Sequence, residues 1–194
     1  VIIGGGPAGI SCALTLQKHG VDCCVIDKAL FPRNKTCAGL VTDKTYRLLK
    51  DILSSNDDAL SRLFCKTANR VEVYDRSSLA AHAECDIMFR LVHRRDFDSA
   101  LVNIYRNRGG SLFEGCTDLS IDYDMKQLTF NRSEECFVID YDHLIFADGA
   151  LSKAHKDFVL KREDMGFSIE TFIPVSEPDE YAIEIHFGYL DHGY

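Results

Sequence analysis

Val1-Ile2-Ile3-Gly4-Gly5-Gly6-Pro7-Ala8-Gly9 is the stretch that decides the fold. A short apolar run breaks into glycines, and good helix formers follow from Ala8 to Lys18, with Gly20 as the stop. Cys23 to Ile26 is a second short apolar run, closed by Asp27. Strand, helix and strand in direct succession predict a βαβ unit on a parallel sheet. In that setting Gly4 permits the tight turn, Gly6 lets the backbone approach a pyrophosphate, and Gly9 lets the helix pack close to the sheet. Pro7 and Ala8 open a helix whose unpaired N–H groups and positive dipole end face an anion. Asp27, at the end of the second strand, is placed to accept hydrogen bonds from ribose hydroxyls. The plainer alternative is a glycine-rich turn that holds no ligand.

Outward from this unit, Ala29 to Val41 reads as a loop, and Thr42 caps a helix that presents Tyr46, Leu49 and Leu53 on one face. Alternation around Val71 and Val73 predicts a strand, and Leu79 to Leu91 holds one or two more. A helix is expected from Asp96, with Phe97, Ala100, Leu101, Ile104 and Tyr105 on one face and Gly109-Gly110 as its end. The period then switches to two. Leu119, Ile121 and Tyr123, then Leu128 and Phe130, then Phe137 and Ile139, predict a three-stranded antiparallel meander. Leu144 to Ala147 returns as a buried strand ending in Asp148-Gly149, and residues 168–174 and 181–189 read as strands of a second sheet.

Five segments carry a family resemblance. Val1 to Gly9, Val25-Ile26-Asp27-Lys28 and Ile145-Phe146-Ala147-Asp148-Gly149-Ala150 resemble the signatures of FAD-dependent monooxygenases and their reductase relatives. Phe31-Pro32-Arg33-Asn34-Lys35-Thr36-Cys37-Ala38-Gly39 resembles a Pro-Arg-x-Lys-x-Cys-Gly-Gly stretch of the geranylgeranyl reductase family, with Ala38 in place of the first glycine of the pair. Val92-His93-Arg94-Arg95-Asp96-Phe97-Asp98 resembles that family's Arg-x-x-Phe-Asp motif at a helix start. The resemblance implies an α/β fold: a Rossmann-like FAD-binding domain with an antiparallel meander, plus part of a sheet-based substrate domain. On this reading residues 1–65 and 92–160 form the FAD domain, and 66–91 and 161–194 form the partial cap.

It further implies FAD as cofactor and reduction of carbon–carbon double bonds in an isoprenoid or similar apolar substrate, with an external electron donor such as NADPH or ferredoxin. A flavin monooxygenase or halogenase, and a non-catalytic dinucleotide-binding module, stay open as alternatives. The implied cofactor contacts are Gly4, Gly6, Pro7, Ala8, Gly9, Asp27, Lys28, Arg33, Cys37, Ala38, Gly39, Arg94, Asp118, Leu119, Asp148 and Gly149. Cys37 is the one candidate for chemistry, as a redox thiol or proton donor, against a simple FAD contact or a structural thiol. Arg94 is expected at the FAD phosphates, with Arg95 as the fallback; the plainer reading pairs Arg94 with Asp96 or Asp98. Asp118 and Leu119 are expected to meet adenine through their main chain.

Composition agrees with a globular domain: 46% hydrophobic and 27% charged in 194 residues. The net charge of −8 argues against nucleic acid as partner and against a general pull onto anionic membranes, so any membrane contact is expected to be peripheral and through a local patch. The eight Cys show no metal-ligand spacing, and a reducing cytoplasm is the expected compartment. The chain begins and stops inside strand-like runs and reads as a piece of a longer protein, without the family's second Gly-Asp-Ala segment.

Overall fold

The computed structural model describes residues 1–54, 60–150, 152, 168–172 and 182–189, with backbone alone at 85–88. The chain divides into two compact units, Val1–Lys35 with Arg94–Ser168, and Thr36–His93 with Ile169–Tyr194.

The first unit is built on a parallel sheet ordered β10-β1-β2-β6, where β1 is Ile2–Ile3, β2 Cys24–Ile26, β6 Ser111–Phe113 and β10 Ile145–Phe146. Helix α1 (Pro7–Lys18) crosses from β1 to β2 as the glycine pattern predicts. Between β2 and β6 the chain passes through the Thr36–His93 part of the second unit and returns on a helix at Arg94–Asn107. This helix, α3, follows α2 (Asp43–Leu53) in the chain. It begins two residues before the expected Asp96. It buries Phe97, Leu101, Val102 and Tyr105, the stripe its period requires. The Tyr105 hydroxyl donates to the Cys23 carbonyl at 3.0 Å, which moors α3 to the start of β2. Burial pushes the thiols of Cys12, Cys24 and Cys116 up.

The meander is β7 (Thr117–Asp122), β8 (Gln127–Arg132) and β9 (Glu135–Asp140), antiparallel and in chain order. Leu128 and Phe130 of β8 are fully buried and pack with Ile3, Ile26 and Cys116. Phe130 stacks on Phe137 at 5.4 Å and meets Phe113 edge-on at 5.5 Å. Burying one such ring contributes about 1.5–3 kcal/mol. Because side chains alternate along a strand, Ile3 and Ile26 serve the meander face while Ile2 and Val25 serve the opposite face. The parallel sheet is therefore covered on both faces, as its unbroken apolar runs demand.

The second unit holds a sheet ordered β11-β4-β5-β3, with β3 Leu40–Val41, β4 Lys66–Asp75, β5 Ser78–Leu91 and β11 Ala182–Phe187. β5 is one continuous strand that turns back on β4 through Arg76 and Ser77. Residues 36–65, placed with the cofactor domain on sequence grounds, fall within this second unit. The reason is pairing that no local pattern announces: β3 joins β5, and Val92 N–H donates to the Gly39 carbonyl at 2.9 Å. The Arg90 guanidinium also sits 3.4 Å from the Tyr46 ring centre of α2 and 3.8 Å from Asp43. The helix α2 starts where Thr42 accepts the Thr45 N–H, as expected. Residues 168–172 form no strand, and the rest of that expected run, 173–174, lies outside the described residues.

β11 runs parallel to β4 and places His186 beside Tyr74, with the rings stacked at 4.5 Å. The two ring nitrogens of His186 face acceptors, a Glu184 carboxylate oxygen at 3.1 Å and the Arg76 carbonyl at 3.3 Å. The hydrogen bonds to Glu184 and then Arg76 raise the histidine above its ordinary 6.5. A raised folded-state value means the contribution is fully present below 6.5 and is lost as pH rises through the raised value. Denaturation of the chain and of His186→Gln as a function of pH tests this. The stability difference between them is expected to be largest on the acid side and to shrink as pH rises; a difference that does not change across this window contradicts the assignment.

Candidate dinucleotide site

The first unit assembles its site at the carboxyl ends of β1, β2 and β10, where open parallel sheets bind ligands. Gly4 leaves β1 with φ +109°, and its N–H donates to the Ile26 carbonyl at 2.8 Å. A Cβ there would drive into the backbone of Ala147 and Asp148, so the turn is locked against the end of β10. A Cβ on Gly9 would run into the carbonyl of Gly4. Gly9 thus lets α1 start directly against the turn. Gly6 is the N-cap of α1 and Pro7 its first residue; no side chain caps the helix and its first turn holds no acid.

Asp27 directly follows β2 and is buried, 9% exposed. Its carboxylate accepts the Gly5 N–H at 2.6 Å and the Ala29 N–H at 2.7 Å, one on each oxygen. A carboxylate has about four acceptor positions. Two backbone donors fix its orientation and leave acceptor capacity for hydroxyls of a ribose.

Arg33 reaches the same place. Its Nη2 would stand 3.2 Å from a Cβ on Gly6, and its guanidinium lies 5.1 Å from the Phe31 ring centre. Arg94 is held by Asp98: Nε and Nη2 meet the two carboxylate oxygens at 2.8 and 2.9 Å. The ion pair weighed in the sequence is therefore formed, and Arg33 is the arginine beside Gly6. The Arg33–Asp98 contact, at 3.3 Å, was not foreseen. The Arg-x-x-Phe-Asp motif and the weighed pairing with Arg94 were the sequence signals at Asp98.

Of the remaining candidates, Lys28 is exposed, and Ala8 is exposed at the start of α1. Asp148 and Gly149 follow β10, Gly149 with φ +82° and its carbonyl accepting the Ser152 N–H at 2.9 Å. Asp118 has φ +53° and accepts from Asn131 at 3.0 Å, which sets a register break in β7, while Leu119 packs against the meander core. Cys37, Ala38 and Gly39 belong to the second unit. There the Cys37 sulfur accepts the Gly39 N–H at 3.5 Å, the Cys37 N–H donates to Glu170 at 3.4 Å, and a Cβ on Gly39 would strike the Val92 carbonyl.

A cradle that a Cβ on Gly6 would fill, an uncapped helix start, an adjacent guanidinium and a backbone-held carboxylate fit a dinucleotide: diphosphate at Gly6, ribose at Asp27.

The pyridine nucleotide-disulphide oxidoreductase family pattern matches residues 1–171. An uncharacterized protein of Methanosarcina barkeri is 28% identical across the whole chain, which spans 49% of that relative. The FAD-dependent monooxygenase OpS4 of Beauveria bassiana is 31% identical over 79% of the chain and 37% of its own length. The crystal structure of CmlS, a flavin-dependent halogenase, superimposes with a TM-score of 0.63 at 26% identity, covering 80% of this chain and 30% of CmlS. The chain thus spans about half or less of the relatives it matches.

Replacing Asp27 by Asn leaves Gly5 and Ala29 with a neutral acceptor and puts an amide NH₂ where only acceptors are wanted. Chemical denaturation is expected to show a loss of about 1–3 kcal/mol, and an unchanged midpoint would count against the role given to this carboxylate.

Proposed function

The chain belongs to the pyridine nucleotide-disulphide oxidoreductase family, and we propose that it is the cofactor-holding part of an FAD-dependent oxidoreductase acting on an apolar substrate. The observation that carries this is the Asp27 carboxylate, fixed by the Gly5 and Ala29 amides beside the Gly6 cradle. In this reading Gly4 to Gly9 and the start of α1 hold the diphosphate, Asp27 the adenosine ribose, and Arg33 supplies the counter-charge. FAD, when bound, supplies two-electron transfer; the protein supplies position and electrostatics.

For the reaction itself the first reading is reduction of a carbon–carbon double bond in an isoprenoid-like lipid, as in geranylgeranyl reductases. It is supported by Pro32-Arg33 through Cys37-Ala38-Gly39 and by Arg94-x-x-Phe97-Asp98. Cys37, half-buried with its sulfur toward the Gly39 amide, is the candidate to contact the flavin or to hold a proton for the substrate. Electrons would come from NADPH, ferredoxin or a similar donor, in the cytoplasm or at a membrane surface reached through a local patch.

A second reading, oxygen activation by a monooxygenase or halogenase, is favoured by the names and identities of OpS4 and CmlS. The two part company under one experiment. The full-length protein is photoreduced without oxygen and given a geranylgeranyl lipid. The oxidised flavin spectrum is expected to return together with a saturated product. Rapid reoxidation by oxygen, with the lipid inert, would replace the reductase reading by the oxygen-activating one.

A further inference from the structure

We propose that Asp98 is a positioning residue for the cofactor diphosphate, acting through Arg33; this rests on the FAD reading above. Asp98 lies in the first turns of α3 with its carboxylate fully withdrawn from solvent. A buried carboxylate is costly unless it is paired, and here two guanidinium groups surround it. Arg94 grips it as a fork, through Nε and Nη2. Arg33 also meets the Oδ2 atom, through Nη2 at 3.3 Å. Arg33 comes from the loop after β2, and Arg94 from the first turn of α3. One carboxylate therefore joins two segments far apart in the chain.

The same Nη2 of Arg33 stands over the position a Cβ on Gly6 would take. Gly6 is the N-cap of α1, whose positive dipole end has no acid in its first turn to offset it. A guanidinium held against that end is electrostatically unfavourable until an anion arrives. Both arginine side chains are largely covered, 19% and 17% exposed. Asp98 has just the effect this arrangement needs. It fixes Arg33 at the cradle before the ligand binds, so that little side-chain ordering is left for the binding step. Neutralising Asp98 without moving Arg33 would raise the local positive potential and tighten anion binding. Losing the anchor on Arg33 would weaken it. The sign of the effect thus separates positioning from simple charge balance.

The test uses the full-length protein freed of flavin, with ADP as probe because it carries the ribose and diphosphate but no flavin, and adenosine as the control without diphosphate. Calorimetric titration of Asp98→Asn is expected to show ADP affinity lowered roughly tenfold or more, with adenosine binding unchanged. In an Arg33→Ala background, Asp98→Asn is expected to remove little further affinity, a non-additivity that a general loss of structure would not produce. Unchanged or tighter ADP binding by Asp98→Asn, or fully additive losses, overturns the proposal. If Asp98→Asn does not fold, Arg33→Gln, which leaves the Arg94 fork intact, is expected to show the same tenfold loss, and unchanged ADP affinity in that variant overturns it equally. Should the unsubstituted protein bind neither ADP nor FAD, the cofactor reading itself fails, and this proposal with it.

Discussion

The backbone of Gly4 passes so close to Ala147 and Asp148 that no side chain fits between them. That close approach brings the ends of β1 and β10 together. It also aims the chain, through a left-handed φ, into α1. The next amide, Gly5, is thereby presented to Asp27 at the end of β2. Gly9 then lets α1 begin against the carbonyl of Gly4 itself. Turn, helix start and carboxylate are one rigid object, and every other feature of the site is arranged around it.

Much of this was legible in the chain because it is local. A glycine spacing between an apolar run and helix formers specifies a turn whatever lies elsewhere, and period-two alternation from Leu119 to Ile139 specifies the meander. What escaped was non-local. β6 is three residues long, Ser111–Phe113, too short for a period to show, and its partner β2 lies far back in the chain. Residues 36–65 looked like a continuation of the cofactor domain because the β3–β5 pairing has no local signature. Arg94 was weighed both toward the phosphates and as a partner of Asp96 or Asp98. Its i, i+4 partner Asp98 holds it in a fork, and the guanidinium beside Gly6 is that of Arg33. Sequence shows which charges exist; only the fold shows which of them share a carboxylate.

The second unit separates its chemistry by face. Val71 and Val73 pair with Ile183 and Ile185 on one side of the sheet, while Glu72 and Tyr74 pair with Glu184 and His186 on the other. The apolar side supplies packing surface, and the polar side carries the titratable groups, with the Tyr74–His186 stack fastening the edge strand to the hairpin. The family match reaches residue 171, so β11 lies beyond the part of the chain it describes.

The central claim is that the cradle at Gly6, with Asp27 and Arg33, holds FAD. The most direct measurement is the identity of the ligand that full-length protein carries through purification. The ligand is released by denaturation and identified by mass spectrometry together with the absorbance spectrum. The account predicts FAD in near-stoichiometric amount and a flavin spectrum. NADP or NAD alone, with no flavin, would contradict it.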